Sequence, residues 1–379
     1  MKKQLLALSM IATSGLMAQD GSTHHQTMQQ DCCSPCCNNP RPCVDSECYI
    51  PSFHNLQCDC GFFFDVEFLY WYARENTVPY ARRFELISNG SETSTPSTVE
   101  VTRSLATLDE SWDPGVRVGL GWNMGCDGWD LSLFWTYYKN TSSESFSTPE
   151  FDGDSPTSLG ESAIEVFAPT FDNSNNVFSR LRSNWTNRFN EIDFVLGKKV
   201  WWSHCFAIRP YAGLRGAWTR TRFQINGQDG PKSSLNTLTQ VSNRFEDKIW
   251  GVGIVGGIDP TFYFTDCFAI YANLGFSVQW GKFQENNTGS VYTENNNASG
   301  INADYSNNYS FDYYLMSSIL DTGLGLRWER TWCDCQYRSN FDIGWEHHIW
   351  MPHSGRVVGS NVNADLGYGG LVVRVRFDF

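Results

Sequence analysis

The last nine residues, Leu371-Val-Val-Arg-Val-Arg-Phe-Asp-Phe379, alternate between two faces. Every second residue from Leu371 onward is apolar, whereas Arg374, Arg376 and Asp378 share the other face, because the side chains of a β-strand alternate with period two. The same amphipathic pattern precedes this stretch nine times, so the sequence predicts an all-β fold. Repeated strands with one apolar and one charged face are typical of a transmembrane barrel that has lipid outside and water inside.

Ten such stretches predict an antiparallel, up-and-down barrel of about ten strands. They are residues 61–73, 114–123, 129–138, 187–200, 206–218, 250–264, 268–280, 319–332, 337–349 and 365–379. Short turns between them alternate with long segments rich in Ser, Thr, Asn and Gly, as periplasmic turns and external loops do in outer-membrane barrels. The long segments are residues 76–111, 140–185, 221–247, 282–310 and 350–364. Strand-like stretches at 164–171 and 235–241 leave a barrel of twelve to sixteen strands open.

The first residues predict export. Lys2 and Lys3 precede an apolar stretch, residues 5–17, that is too short to span a bilayer and ends near a plausible cleavage position at Ala18. We therefore expect a signal peptide at 1–18, a disordered, Cys-rich periplasmic segment at 19–60 and a barrel at 61–379, integral to the bacterial outer membrane. The terminal aromatics are the predicted signal for the barrel-assembly machinery: Phe377 and Phe379.

Thirteen cysteines form a second pattern. Eight precede the first strand and five lie in the short turns: Cys32, Cys33, Cys36, Cys37, Cys43, Cys48, Cys58 and Cys60, then Cys126, Cys205, Cys267, Cys333 and Cys335. All of them would then lie on the periplasmic side, where an oxidising environment favours disulfides, and the odd number leaves one for an intermolecular bond or a free thiol. A zinc site formed by the CxxC-spaced cysteines with His24 and His25, or a set of unpaired thiols, are the weaker alternatives.

Five features carry a resemblance to a known family. They are the predicted signal peptide, the cysteine-rich N-terminus, the strand Phe64-Asp-Val-Glu-Phe-Leu-Tyr-Trp-Tyr72, the Gly-rich strand Gly115-Val-Arg-Val-Gly-Leu-Gly-Trp122 and the terminal Phe379. Together they resemble the major-outer-membrane-protein-like porins of environmental chlamydiae, which are related to the Legionella-type major outer membrane protein family. The resemblance implies a porin that is joined by disulfides, to itself or to other Cys-rich envelope proteins, in a rigid envelope.

Strand parity predicts a lumen lined by charges of both signs. The predicted pore-lining residues are Asp65, Glu67, Arg117, Glu191, Asp193, Arg209, Arg215, Asp321, Arg327, Asp342, Glu346, Arg374 and Arg376. Such a lumen suits ions and small polar solutes and needs neither metal nor cofactor. The lumen of a ten-stranded barrel is narrow, so the same residues are alternatively salt bridges that close it. The formal net charge of −13 argues against a nucleic-acid partner.

Two further hypotheses concern function. His347, His348 and His353 lie near Asp342 and Glu346, a composition that suits a barrel hydrolase, but no serine nucleophile motif accompanies them and we expect no enzyme. The rival to a porin is a non-conducting barrel with a structural or adhesive role. Aromatics near strand ends predict interfacial girdles, with sheet packing as the alternative. These aromatics are Tyr70, Tyr72, Trp201, Trp202, Tyr263, Trp328 and Trp332.

Overall fold

The computed structural model describes residues 60–75, 80–88, 98–107, 111–124, 128–148, 162–166, 177–203, 205–228, 237–265, 267–295, 300–332, 337–354 and 364–379. The predicted signal peptide and, apart from Cys60, the predicted Cys-rich segment lie outside the described residues. Within the described ranges, no helix is long and apolar enough to cross a bilayer.

The described residues fold into strands, as the alternating pattern predicts. The strands are β1 (Cys60–Glu75), β2 (Ala81–Ser88), β3 (Thr98–Ala106), β4 (Trp112–Met124), β5 (Trp129–Ser147), β6 (Ser162–Val166), β7 (Val177–Phe178), β8 (Arg180–Lys198), β9 (Val200–Trp201), β10 (Phe206–Gln228), β11 (Thr237–Tyr263), β12 (Phe268–Asn295), β13 (Gly300–Trp332), β14 (Tyr337–Ser354) and β15 (Ala364–Asp378).

Ten of these strands close into a barrel. Each pairs with the next in the order β11-β12-β13-β14-β15-β1-β4-β5-β8-β10, and β10 pairs back with β11. All the pairings are antiparallel, and the seam joins the first strand to the last, with Phe64 opposite Phe377. A closed barrel leaves no unpaired backbone edge in hydrocarbon, where each unpaired group costs several kcal/mol. The predicted ten-stranded, up-and-down barrel is therefore confirmed.

The outer surface of the barrel carries an apolar band. On β12 the alternate residues Phe268, Ile270, Leu274, Phe276 and Trp280 are all exposed, between 42% and 56%. So many exposed apolar and aromatic side chains on one face indicate that this face contacts lipid and not water. The alternation along the strand therefore sets the lipid-facing surface.

Aromatic girdles border the apolar band at both ends. Trp218 and Trp250 lie opposite each other on β10 and β11, and Trp280 stacks on Tyr314 with ring centroids 5.1 Å apart. These four residues form the loop-end girdle, at the end of the barrel opposite to the C-terminus. The turn end, near the C-terminus, carries a second ring of exposed aromatics: Phe62, Trp122, Trp129, Phe264, Phe268, Trp332, Phe377 and Phe379.

The predicted girdle residues divide between the two sides of the barrel. Three are exposed, in agreement with the prediction: Tyr70, Trp202 and Trp332. Tyr72 and Trp328 are half-buried. The prediction is wrong for Trp201 and Tyr263, which are buried with their ring centroids 5.2 Å apart and the Lys199 ammonium over both rings. Tyr263 has the inward parity of β11, so its place near a strand end does not make it interfacial.

The strands extend well beyond the predicted bounds at the loop end. The prediction of loops at 221–247 and 282–310 is wrong, because β11, β12 and β13 run for 27, 28 and 33 residues through them. A tilted strand needs about 9–11 residues to cross a bilayer, so most of this length lies outside the lipid. Polar Ser, Thr and Asn residues continue the hydrogen-bonded ladder there because hairpin pairing carries it outward.

A second, smaller sheet accounts for the first of the two extra strand-like stretches, whereas residues 237–241 of the second belong to the barrel strand β11. β2, β3, β6 and β7 form a four-stranded sheet, which we call the inner sheet, from segments predicted to be loops. Tyr80, next to β2, packs edge-on against inward-facing Phe223 with centroids 5.2 Å apart, and Phe84 and Ile164 are almost fully buried. Residues 164–166 of the strand-like stretch at 164–171 thus belong to a sheet that packs against the inner wall and adds no strand to the barrel; the rest of the stretch lies outside the described residues.

Candidate functional site

The turn-end half of the lumen is charged. The structure places all thirteen predicted pore-lining residues on the inner face, and each of them makes an ion pair with another inward-facing residue. Around them remains a cavity of about 200 Å³ that is lined by acidic and basic side chains. Their role in conduction stays a prediction.

Strand register creates the ion-pair cluster around Glu67. Glu67 lies directly opposite Arg374 on β15 and Arg117 on β4. Arg117 donates to one oxygen of Glu67 at 2.6 Å, and the Arg374 Nε donates to the other at 2.7 Å. Arg117 also reaches Glu346 at 3.1 Å. The fully buried Glu67 carboxylate therefore holds two guanidinium groups in place.

A second cluster spans the lumen. Arg215 on β10 binds Asp193 on the neighbouring β8 through both oxygens, at 2.7 and 2.8 Å. Its other nitrogen reaches Asp321 on β13, three strands away, at 2.5 Å. His348 approaches the same Asp321 at 2.7 Å and Glu346 at 3.4 Å. These contacts tie opposite walls of the barrel together.

A third group of charges lies toward the turn end and includes residues that sequence reasoning missed. Arg209 binds Asp130 at 2.5 Å and Asp259 at 2.8 Å. Asp378 accepts from Arg338 at 3.1 Å and from Arg376 at 2.7 Å. Strand parity was the available signal for Asp378, which has the same parity as Arg374 and Arg376 in the last strand.

Aromatic side chains lie across the lumen between its charged half and the loop end. Five rings from five strands form a layer that we call the aromatic septum: Trp71, Tyr138, Phe189, Trp350 and Tyr368. Tyr368 on β15 contacts Tyr138 on β5 and Phe189 on β8, with centroids 5.8 and 4.8 Å apart. Because these strands are not neighbours, the contacts cross the lumen. The septum lies directly on the charged half, with the Arg117 guanidinium 5.6 Å from the centre of the Trp71 ring.

Comparison with known proteins identifies the family. A family model described as Legionella pneumophila major outer membrane protein precursor matches residues 58–379, which include all ten barrel strands. The chain belongs to this family. It is therefore an integral protein of the bacterial outer membrane, as predicted, and the short turns of this Legionella-type outer membrane protein are assigned to the periplasm. No curated protein matches the chain.

Three solved structures match most of this chain at low sequence identity. The outer membrane protease OmpT from Escherichia coli is 8% identical, with 86% of this chain and 98% of that chain covered and a TM-score of 0.34. The Pseudomonas putida toluene transporter TodX is 7% identical, with 84% and 89% covered and a TM-score of 0.25. A Pseudomonas aeruginosa FadL homologue is 5% identical, with 85% and 90% covered and a TM-score of 0.23.

Among the described histidines, His348 is not a free base. Both ring nitrogens of His348 face carboxylates, which leaves neither of them directed at a nucleophile. Among the described residues, no group of three His, Cys, Asp or Glu side chains is arranged to hold a metal ion.

Two of the thirteen cysteines have described side chains, and both lie in periplasmic turns. Cys205 is an exposed, free thiol in the turn before β10. Cys267, in the turn before β12, is buried and disulfide-bonded. Cys60 begins β1, and the remaining candidates lie outside the described residues.

Proposed function

We propose that this protein is an outer-membrane channel for ions and small polar solutes, and not an enzyme. One observation carries the proposal: the described residues fill the outer half of the lumen mainly with aromatic and other apolar side chains, beside buried polar ones such as Asn187 and Asp247, but keep the periplasmic half charged and partly hollow. Since the chain packs Trp, Tyr and Phe inside the same barrel, filling the lumen does not by itself require charges.

The energetic cost of these charges supports the proposal. Removing an ion from water costs several kcal/mol, and pairing offsets this cost without making a buried ion pair better than apolar packing. Arg209 and Asp259 keep 21% and 28% of their side chains exposed inside the barrel. Water therefore reaches these groups, and passing ions can exchange with their paired partners.

The aromatic septum and the inner sheet favour a second candidate, a non-conducting structural or adhesive barrel. Trp71 and Tyr368 are fully buried, and the described residues of their layer lie across the lumen. Free conduction would therefore require the septum or the inner sheet to move aside. Planar-bilayer recording of the refolded barrel separates the two candidates, because discrete current steps support the channel and silence from inserted, folded protein supports the structural barrel.

Substitution of a single charged residue in the lumen tests whether ions pass that residue. Exchanging Asp259 for asparagine removes a carboxylate beside Arg209 but keeps the side-chain shape, so Asn273 retains a partner. We expect the reversal potential in a salt gradient to shift toward anion preference, because the local net charge becomes more positive. The matched control is Asp312→Asn, which removes an exposed carboxylate paired with Lys282 outside the lumen. Equal reversal potentials for the two variants would show that Asp259 does not line the path of the ions.

We also propose that the protein is cross-linked into the envelope through disulfides. The exposed Cys205 thiol in a periplasmic turn supports this, since it is accessible to a thiol of another molecule. We expect Cys205→Ser to remove a disulfide-linked species from non-reducing gels of isolated envelopes. Reduced samples of both proteins serve as the control and should run alike. An unchanged ladder in the variant contradicts a role for this cysteine.

A further inference from the structure

A row of positive charges faces outward beyond the lipid band. Lys139, Arg188, Arg220 and Lys248 lie directly opposite one another on the consecutive strands β5, β8, β10 and β11. We call these four residues the basic ladder. Like charges placed opposite each other on adjacent strands destabilise a sheet, so a row of four needs an anion to offset the repulsion.

The protein itself supplies little of that negative charge. Arg222 and Arg244 are two more outward-facing cations, and they lie nearer the loop end than the ladder does. A single carboxylate, Glu246, pairs with both of them and also with Arg220 and Lys248. Burial opposes ionisation of Glu246, but hydrogen bonds and charges from its basic neighbours keep its pKa below the ordinary value.

The imbalance is largest on the β5 and β8 side of the ladder. Within the described residues, Lys139 and Arg188 have no carboxylate partner, and Glu246 is the one outward-facing carboxylate beyond the girdle on the four ladder strands. Both side chains are exposed. The ladder is therefore a site with excess positive charge and open donors.

The ladder lies at the level of lipid headgroups. Arg220 follows Trp218 by two residues on β10, and Lys248 precedes Trp250 by two residues on the antiparallel strand β11, so both lie just beyond the loop-end girdle on the outward face. The apolar band continues below them toward the membrane centre. Its side chains suit acyl chains, whereas the ladder directly above suits the charged head of the same molecule.

We propose that the basic ladder binds the phosphate groups of a glycolipid in the outer leaflet. Arginine presents paired N–H donors that match phosphate oxygens, and the two arginines at the centre of the ladder are neighbours. With strands about 4.8 Å apart, the ladder spans roughly 14 Å, which is enough for two phosphates on one sugar headgroup. The proposal does not depend on conduction, since the ladder lies outside the barrel.

Lipid titration of the purified barrel in non-ionic detergent tests the proposal. The probes are bisphosphorylated lipid A, the same lipid without phosphates, and inorganic phosphate alone. We expect the bisphosphorylated lipid to bind, and the combined Arg188→Gln, Arg220→Gln and Lys248→Gln variant to bind it at least tenfold more weakly, since the variant removes three of the four positive charges that attract the phosphates. Equal binding of the dephosphorylated lipid, or equal affinity for free phosphate, overturns the proposal.

Two more variants control for folding and for general charge. Lys198→Gln with Arg330→Gln neutralises outward cations near Trp129 and Trp332 at the periplasmic girdle and should leave binding unchanged. Glu246→Gln removes the carboxylate that competes for the ladder, so lipid binding should become tighter. A loss of binding in the periplasmic pair, or weaker binding in Glu246→Gln, contradicts the assignment even if the triple variant fails to fold.

Discussion

Exchanging Glu67 for glutamine is expected to lower the free energy of unfolding of the barrel by about 3–5 kcal/mol. The Glu67 carboxylate is fully buried and accepts from Arg117 and Arg374 on the two flanking strands. Glutamine keeps the shape but removes the charge and offers one acceptor oxygen. Arg117 then keeps Glu346, and Arg374 keeps Asp65 and Asp342 at 3.5 and 3.7 Å. Both guanidinium groups therefore remain in the lumen with less negative charge beside them, and this loss of compensation is the costly part of breaking a buried ion pair.

Urea unfolding in detergent micelles, followed by tryptophan fluorescence, measures this loss. The matched control is Asp312→Asn, which removes an exposed carboxylate from a surface pair with Lys282 and should change stability little. A double variant that neutralises both Glu67 and Arg117 should recover part of the lost stability, because it also removes one of the two positive charges that lost Glu67 as a partner. A Glu67→Gln barrel as stable as the control would show that the lumen is wet enough to screen these charges.

Replacing Tyr368 with alanine is expected to open the aromatic septum. Tyr368 is fully buried, contacts Tyr138, Phe189 and Trp71, and donates a hydrogen bond to Asn187 at 2.8 Å. Its removal leaves a gap next to the charged half of the lumen. The stability cost is about 3–5 kcal/mol, as for other buried aromatic side chains, and the ionic current across a bilayer should increase several-fold.

The control for this prediction is Tyr70→Ala, the same exchange at an exposed tyrosine that faces lipid on β1. It should change stability less and leave the current unchanged. If the Tyr368 variant inserts, stays folded and passes no more current than the Tyr70 variant, the lumen is blocked elsewhere and the inner sheet becomes the leading barrier. Silence of both variants supports the non-conducting barrel.

The ten strands and their faces could be predicted from the sequence because each residue of a barrel wall faces either lipid or the lumen, and this restricts its polarity. A shift of one residue in register moves every lipid-facing side chain to the lumen and every lumen-facing side chain to the lipid. The alternating pattern of a strand such as 268–280 is therefore compatible with only one assignment of its two faces. The same parity assigned Glu67 and Arg374 to the lumen. Their direct opposition was not predictable, since register between the first and last strands depends on closure of the barrel.

The septum and the inner sheet escaped prediction for a different reason. Trp71 stands between Tyr70 and Tyr72, so both faces of β1 are aromatic there and the contrast between lipid and lumen vanishes. The inner sheet pairs β2 with β6, whose residues are about 80 positions apart in the chain. Hydropathy along the chain gives no information about pairing at such a separation.

The wall of the barrel is of unequal height, and this decides what its surroundings touch first. β13 runs for 33 residues whereas β4 runs for 13, a difference of roughly 65 Å of extended chain at about 3.3 Å per residue. Among the described strands, the Asn- and Ser-rich crest of β12 and β13 therefore stands farthest from the lipid. Substitutions in that crest touch neither the lipid band nor the charged lumen, so this surface can change without altering either face of the barrel wall.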